Sequence, residues 1–204
     1  MDKVLSKAKY VVSKANEYGS VTPMKLQKLL YYMKVWGLVA GYDLVEADFE
    51  KWDHGPINRD VYQHFKSYGR SAIPKEDTLP PFRGEKKAVA DFIITCYAQY
   101  DALTLSSMAH KEDPWREADP NQVISETAMV GYYENQQFSL NFPFDPENGP
   151  FYPVDSDTDR GFTLDMNDSD AESVRVYDSY NKFVEQMSQA SSEYQSKWKD
   201  KFIA

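Results

Sequence analysis

A chain of 204 residues with 42% hydrophobic and 15% aromatic side chains can bury one substantial core and carry an appended subdomain. A formal net charge of -9 argues against the ordinary basic groove for nucleic acid, which needs clustered Lys and Arg, and suits basic partners instead. Cys96 is the single cysteine, which rules out an internal disulfide, and no stretch reads as a signal peptide or a bilayer span, so a cytoplasmic protein without membrane contact is expected.

In chain order, Val4, Leu5, Ala8, Val11, Val12 and Ala15 recur at helical spacing between Lys3 and Tyr18, and Gly19 closes the run. Lys3, Lys7, Lys9 and Lys14 read as its solvated face rather than as an RNA contact. Thr22 followed by Pro23 is a helix start, because the hydroxyl accepts an orphan N–H and proline owes no bond at the first position. Leu26, Leu29, Leu30, Met33 and Gly37 then share a face, and Tyr31, Tyr32, Val35 and Trp36 widen it until the helix must be buried on more than one side. Gly41 is its stop. Residues Asp48 to Trp52 alternate as a short strand, which His54, Gly55 and Pro56 break at a corner. Asn58 caps the next helix, with Asp60 in its first turn, Val61, Tyr62, Phe65 and Tyr68 facing inward, and Gly69 at its end.

Ser71 to Arg83 is a proline-rich connector, after which Glu85 to Tyr100 returns to helical period with Cys96 on its apolar side, a packing position rather than a nucleophile. Thr104 reads as the cap of a short helix, Leu105 to His110, which Asp113-Pro114 stops, with Trp115 anchoring the returning chain. Ser106, Ser107 and His110 invite a hydrolase reading across one helical turn. No nucleophile elbow or oxyanion-hole glycine accompanies them, and a packing role is preferred. His54, His64 and His110 match no metal spacing. A last helix, Ile124 to Tyr133, offers Ile124, Ala128 and Met129 to the core.

Two separated signatures in this order, KLQKLLYY (Lys25 to Tyr32) with FEKWDHGPI (Phe49 to Ile57) and VYQHFKSYG (Val61 to Gly69), then LTLSSMAHKEDPWREA (Leu103 to Ala118), closely resemble the Panacea domain, the SocA-like antitoxin family of bacteria and their phages. The resemblance spans about Met1 to Tyr133. It implies a binding protein that neutralises a toxin by direct contact, and it brings no catalytic residues with it, so no enzyme activity is expected. It also allows an adaptor that hands a bound client to a protease, or an accessory binding protein of a phage or mobile element. Trp52 and His54, at the corner of the signature, are candidate partner-binding residues.

The C-terminal third departs from the family pattern. Between Asp145 and Glu172 nine acids, Asp145, Glu147, Asp155, Asp157, Asp159, Asp165, Asp168, Asp170 and Glu172, stand against Arg160 alone. Phe138, Phe142 and Phe144 just before them and Phe151, Tyr152 and Phe162 among them accompany these acids, with prolines at 143, 146, 150 and 153, so an ordered irregular flap is expected, with short strands at Phe138 to Phe142 and Phe162 to Leu164. Asp155, Asp157, Asp159 and Asp165 imitate a calcium loop. Arg160 stands where the required glycine belongs and Met166 where the bidentate glutamate belongs, so a solvated acidic turn is preferred and no cofactor is expected. From Asp170 onward, Tyr177, Tyr180, Val184, Met187, Ser191, Tyr194 and Trp198 form the seam of a long helix. The seam packs on the N-terminal domain, meets a partner, or forms a coiled-coil dimer weakened by Ser191 and its tyrosines.

The fold expected is mainly α (α+β): a helical domain with a small hairpin or sheet over 1–133, an acidic aromatic flap over 134–170 and an amphipathic helix over 171–204. Its expected partner is a cognate toxin, contacted by Trp52, His54, Phe151, Tyr152, Asp155, Asp157 and Asp159, with the flap offering carboxylates in place of phosphates and rings in place of bases. Direct nucleic-acid binding is not expected.

Overall fold

A helix with apolar residues on every side has to be surrounded, and that requirement organises the computed structural model of this chain, which describes residues 3–76, 80–136 and 138–139. In chain order the described elements are α1 (Lys3–Ala15), α2 (Pro23–Val39), β1 (Glu50–Trp52), β2 (Gly55–Ile57), α3 (Arg59–Phe65), α4 (Gly84–Ala98), α5 (Ala102–Lys111), α6 (Asp113–Glu117) and α7 (Glu126–Tyr133). The fold is mainly α. Thr22 caps α2 as its chemistry demands, the hydroxyl accepting the Lys25 N–H at 3.3 Å. Every residue of α2 from Lys25 to Gly37 is buried, and α1, α4, α5, α7 and β2 all pack directly on it.

The hairpin is minimal. β1 and β2 run antiparallel with Glu50 opposite Ile57, Lys51 opposite Pro56 and Trp52 opposite Gly55, leaving Asp53 and His54 as a two-residue turn. Gly55 and Pro56, expected with His54 to break the strand, instead open its partner: Pro56 stands opposite Lys51, whose N–H and carbonyl point away to residues 121 and 122, so this is a non-hydrogen-bonded pair and the missing proline N–H is not called on. The other edge of β1 is also occupied, by Lys51 N–H to the Gln122 carbonyl (3.0 Å), Asn121 N–H to the Lys51 carbonyl (2.8 Å) and Ile124 N–H to the Phe49 carbonyl (2.8 Å). Asn121 adopts a left-handed φ of 61° at this junction, a conformation asparagine tolerates.

Several expectations shift for identifiable reasons. Helix α5 begins at Ala102, not Leu105, because the Asp101 carboxylate accepts the Thr104 N–H at 2.7 Å and takes the capping role assigned to Thr104. Asp113-Pro114 opens α6 instead of only ending α5: Glu112 is extended, and proline in the first turn loses no hydrogen bond. Helix α7 starts at Glu126 behind a Ser125 cap, which leaves Ile124 and Met129 buried but turns Ala128 outward. Val61 and Phe65 face inward as expected, whereas Tyr68 lies in a 3-10 turn after α3 and is exposed.

On α1 the lysines are more committed than a solvated face implies. Lys3 pairs with Glu46, Lys9 with Glu76 and Lys14 with Glu17, while Lys7 is buried with its ammonium 5.8 Å from the Phe82 ring centre.

At the core, Trp36 donates its indole N–H to the Tyr97 hydroxyl at 2.6 Å, and Tyr32 stacks on Tyr97 with centroids 4.0 Å apart. Cys96 is fully buried among these helices. Phe138, expected at the start of the flap, belongs to this core, 4.5 Å from Trp36 and stacked on Phe92. The remainder of the flap and the Tyr177 to Trp198 seam lie outside the described residues. No helix among the described residues is long and apolar enough to cross a membrane.

Gly37 allows the chain after α2 to fold back against it. A Cβ there would stand 2.9 Å from both Leu44 Cγ and the Tyr42 carbonyl oxygen, and that backbone is pinned by the Tyr42 N–H donating to the Gly37 carbonyl at 2.7 Å. Gly37→Ala should therefore lower stability, since overpacking costs about 1–3 kcal/mol and outweighs the gain of up to about 1 kcal/mol in helix propensity. Urea denaturation checks this, and a raised midpoint would show that the segment yields freely.

Candidate functional site

Polar residues on a helix that is buried all round have no water to turn to. On α2, Lys25 donates to the Ala98 carbonyl at 2.6 Å, capping the end of α4, and Lys34 reaches the Val45 carbonyl (3.3 Å) and Glu126 (2.6 Å). Gln27 pairs with the backbone of Asn58 in both directions, accepting its N–H at 2.8 Å and donating to its carbonyl at 3.2 Å. Lys28, wholly buried, donates to the Pro56 carbonyl at 3.0 Å, its one hydrogen-bond partner among the described residues. The polar letters of the KLQK stretch are thus hooks that grip neighbouring backbone.

Two of these hooks grip one corner. Lys28 and Gln27 hold residues 56 and 58 from beneath, and Asn58 extends the hold, its side chain accepting the Val61 N–H at 3.0 Å and donating to the Asp48 carbonyl at 2.9 Å. Gly55 has a φ of 95°, and a Cβ on it would lie 2.8 Å from Lys28 Cε and 2.9 Å from Nζ. Glycine is needed both for the backbone angle and for the lysine passing under it.

From the side, α5 braces the turn. Ser106 Oγ donates to the His54 carbonyl at 2.9 Å, and His110 Nε2 lies 2.9 Å from the Asp53 carbonyl, a geometry that requires the N–H on that nitrogen. The Ser106 hydroxyl proton is thereby directed at backbone, and its oxygen is 3.5 Å from His110 Nδ1. Lys51 ties the strand to the far side, donating to the Arg116 and Ala118 carbonyls at 2.7 and 2.8 Å with its ammonium 4.7 Å from the Trp115 ring centre.

What this bracing presents is Trp52, Asp53 and His54. The Asp53 and His54 side chains are exposed, and Trp52 is half-buried between Tyr62, at 5.2 Å, and the Arg59 guanidinium, at 5.5 Å. Glu50 accepts from both Trp52 Nε1 (3.0 Å) and Arg59 Nε (2.6 Å), and the Arg59 hydrogen bond holds its carboxyl below the ordinary range. Beside the corner opens a cavity of about 470 Å³ lined by Met24, Trp52, Asp53, His54, Ile57 and Tyr62. A rigid turn beside an aromatic-walled hollow is suited to gripping a side chain of another molecule. Among the described residues no group of three or more His, Cys, Asp or Glu side chains is placed to hold a metal.

Of the expected contact residues, the structure brings Trp52 and His54 together at this corner, whereas Phe151, Tyr152, Asp155, Asp157 and Asp159 lie outside the described residues. Gln27, Lys28, Ser106 and His110 were not expected to hold the corner. The signal for the first two was available: apolar residues all round α2 leave no solvated face for a lysine or a glutamine.

Burial alone pushes the Lys28 amine down to about 7. The unfolded chain, with an ordinary lysine near 10.5, binds more protons between those values. Lys28 thus weakens folding fully below about pH 7, and the penalty fades as pH rises toward 10.5. Compared by urea denaturation from about pH 6 to about pH 9, the wild type should gain stability relative to Lys28→Met. Parallel curves would show that the amine is not displaced.

Residues 26–116 match the family model described as antitoxin SocA-like, Panacea domain, a span running from within α2 through most of α6 and including Gln27, Lys28, Lys51, Asn58, Ser106 and His110, while Ala118, which accepts from Lys51, lies beyond it. No curated protein and no solved structure matches the chain.

Proposed function

We propose, from the premise that this chain carries a Panacea domain of the SocA-like antitoxin kind over residues 26–116, that it neutralises a cognate toxin by binding it directly, with the Trp52 to His54 corner in the contact. The observation that carries this reading is the number of braces on one exposed turn: Lys28, Gln27, Ser106 and His110 end on backbone in or beside the hairpin, and Lys51 runs outward from it to the Arg116 and Ala118 carbonyls. Preorganising a surface lowers the ordering cost of association, and a half-buried Trp beside a cavity is the residue type on which interface energy concentrates.

The acidic aromatic residues Phe151, Tyr152, Asp155, Asp157 and Asp159 would add partner choice, exposed carboxylates acting mainly on the rate of encounter with a basic surface.

The test pairs the purified full chain with the product of the adjacent open reading frame. The two should co-elute from a sizing column, and the toxin's level in cells should not fall when the antitoxin is present. Loss of the toxin that requires an active protease would point instead to an adaptor. His54→Ala is the sharpest variant, because the His54 ring makes no hydrogen bond, ion pair or ring contact with other described groups and its carbonyl is what α5 holds. It should leave the melting temperature unchanged and weaken the complex about fivefold or more, a loss of about 1 kcal/mol. Reversing Asp155, Asp157 and Asp159 to Lys should slow association and flatten its salt dependence, and unchanged association kinetics would remove the flap from the contact.

A further inference from the structure

We infer that Lys28 and Gln27 are positioning residues for the corner, retained to fix the hairpin in place and not to stabilise the fold. The inference rests on the reading of that corner as the contact surface. If the space at position 28 needed only filling, a methionine of similar length would fill it without burying an ammonium group, and exchanging buried charge for apolar volume is often neutral or stabilising. Instead the site is shaped around the amine: Gly55 lacks the Cβ that would collide with Cε and Nζ, and the Pro56 carbonyl turns inward to accept.

Gln27 acts at the next available rung. Its amide supplies one acceptor and one donor to the Asn58 N–H and carbonyl, as a neighbouring strand would, so the outer edge of β2 is completed by side chains of α2. A ladder of three residue pairs is too short to hold its own geometry, and without these two hooks β2 would lose its hold on α2, leaving the turn bearing Trp52, Asp53 and His54 to the side braces from α5, Lys51 and the 121–124 segment. Gly55 and the lysine beneath it form one interlocked unit. Loss of Nζ leaves the Pro56 carbonyl without its donor and frees the hairpin to shift, while removing a charge the core does not need.

The test uses the full-length wild type and Lys28→Met. Three quantities are measured: melting temperature, amide hydrogen exchange by NMR, and the dissociation rate from the toxin partner. The expected result is an equal or higher melting temperature, exchange at Ile57 and Asn58 at least tenfold faster with core amides such as Leu30 and Ile93 unchanged, and dissociation at least tenfold faster. A variant that does not fold, or whose melting temperature falls with faster exchange across α2 and α4, would show that Lys28 is an ordinary core requirement and overturn the inference. Unchanged exchange in the hairpin would overturn it too, as would an unchanged dissociation rate from a partner that the wild type binds. If the hairpin loosens as expected but the wild type forms no complex, the antitoxin reading falls and the positioning role stands.

Discussion

A lysine amine taken wholly out of water has to find an acceptor, and for Lys28 that acceptor is the carbonyl of Pro56 in a strand three residues long. Several otherwise odd features follow from this contact. Position 55 has to be glycine, since its backbone angle is left-handed and the lysine stem lies where a Cβ would be. Proline at 56 is harmless because the group in use there is its carbonyl and not an N–H. The hairpin faces the core through β2 and the solvent through its turn, so the same contact that anchors one side presents the other.

The interior repeats this use of polar groups as fasteners. Glu112 sits in the extended residue between α5 and α6, and the hydroxyls of Tyr32 and Tyr133 both donate to its carboxylate, joining α2 and α7 to the break between two helices. Burial first, and then the nearby Glu112 charge, push the phenols of Tyr32, Tyr97 and Tyr133 well above their ordinary value, so they remain donors. Aromatic residues serve this architecture well, because each supplies a large apolar face and, for Tyr and Trp, a polar tip that can be satisfied within the core.

Much of the fold was legible because its signals are local. Thr22-Pro23 and Asn58 are caps whose chemistry acts within one turn of helix, and both do what their sequence context says. Sequence and structure part where two local signals compete or where a tertiary contact decides. Thr104 and Asp101 are both good caps, and the carboxylate three residues upstream prevailed. Proline at 114 is equally a stop and a start. Lys7 reads as solvated from its own helix and is buried because its partner ring, Phe82, comes from far along the chain, within the connector. The corner itself was recognisable from His54, Gly55 and Pro56, but what it rests on was not. Periodicity assigns a face to each side chain and says nothing about which backbone carbonyl a lysine will meet after the chain has crossed itself.

Cys96, the single thiol of the chain, is buried on α4, a helix that packs on both α1 and α2. A thiolate reacts only where reagent and base can reach it, so alkylation at this position has to wait for α4 to come away from the core. The protein therefore carries an internal clock for that opening: the rate of labelling reports the free energy of exposing the buried face of α4, and a bound partner that stiffens the domain would be seen as a slower reaction at a residue it never touches.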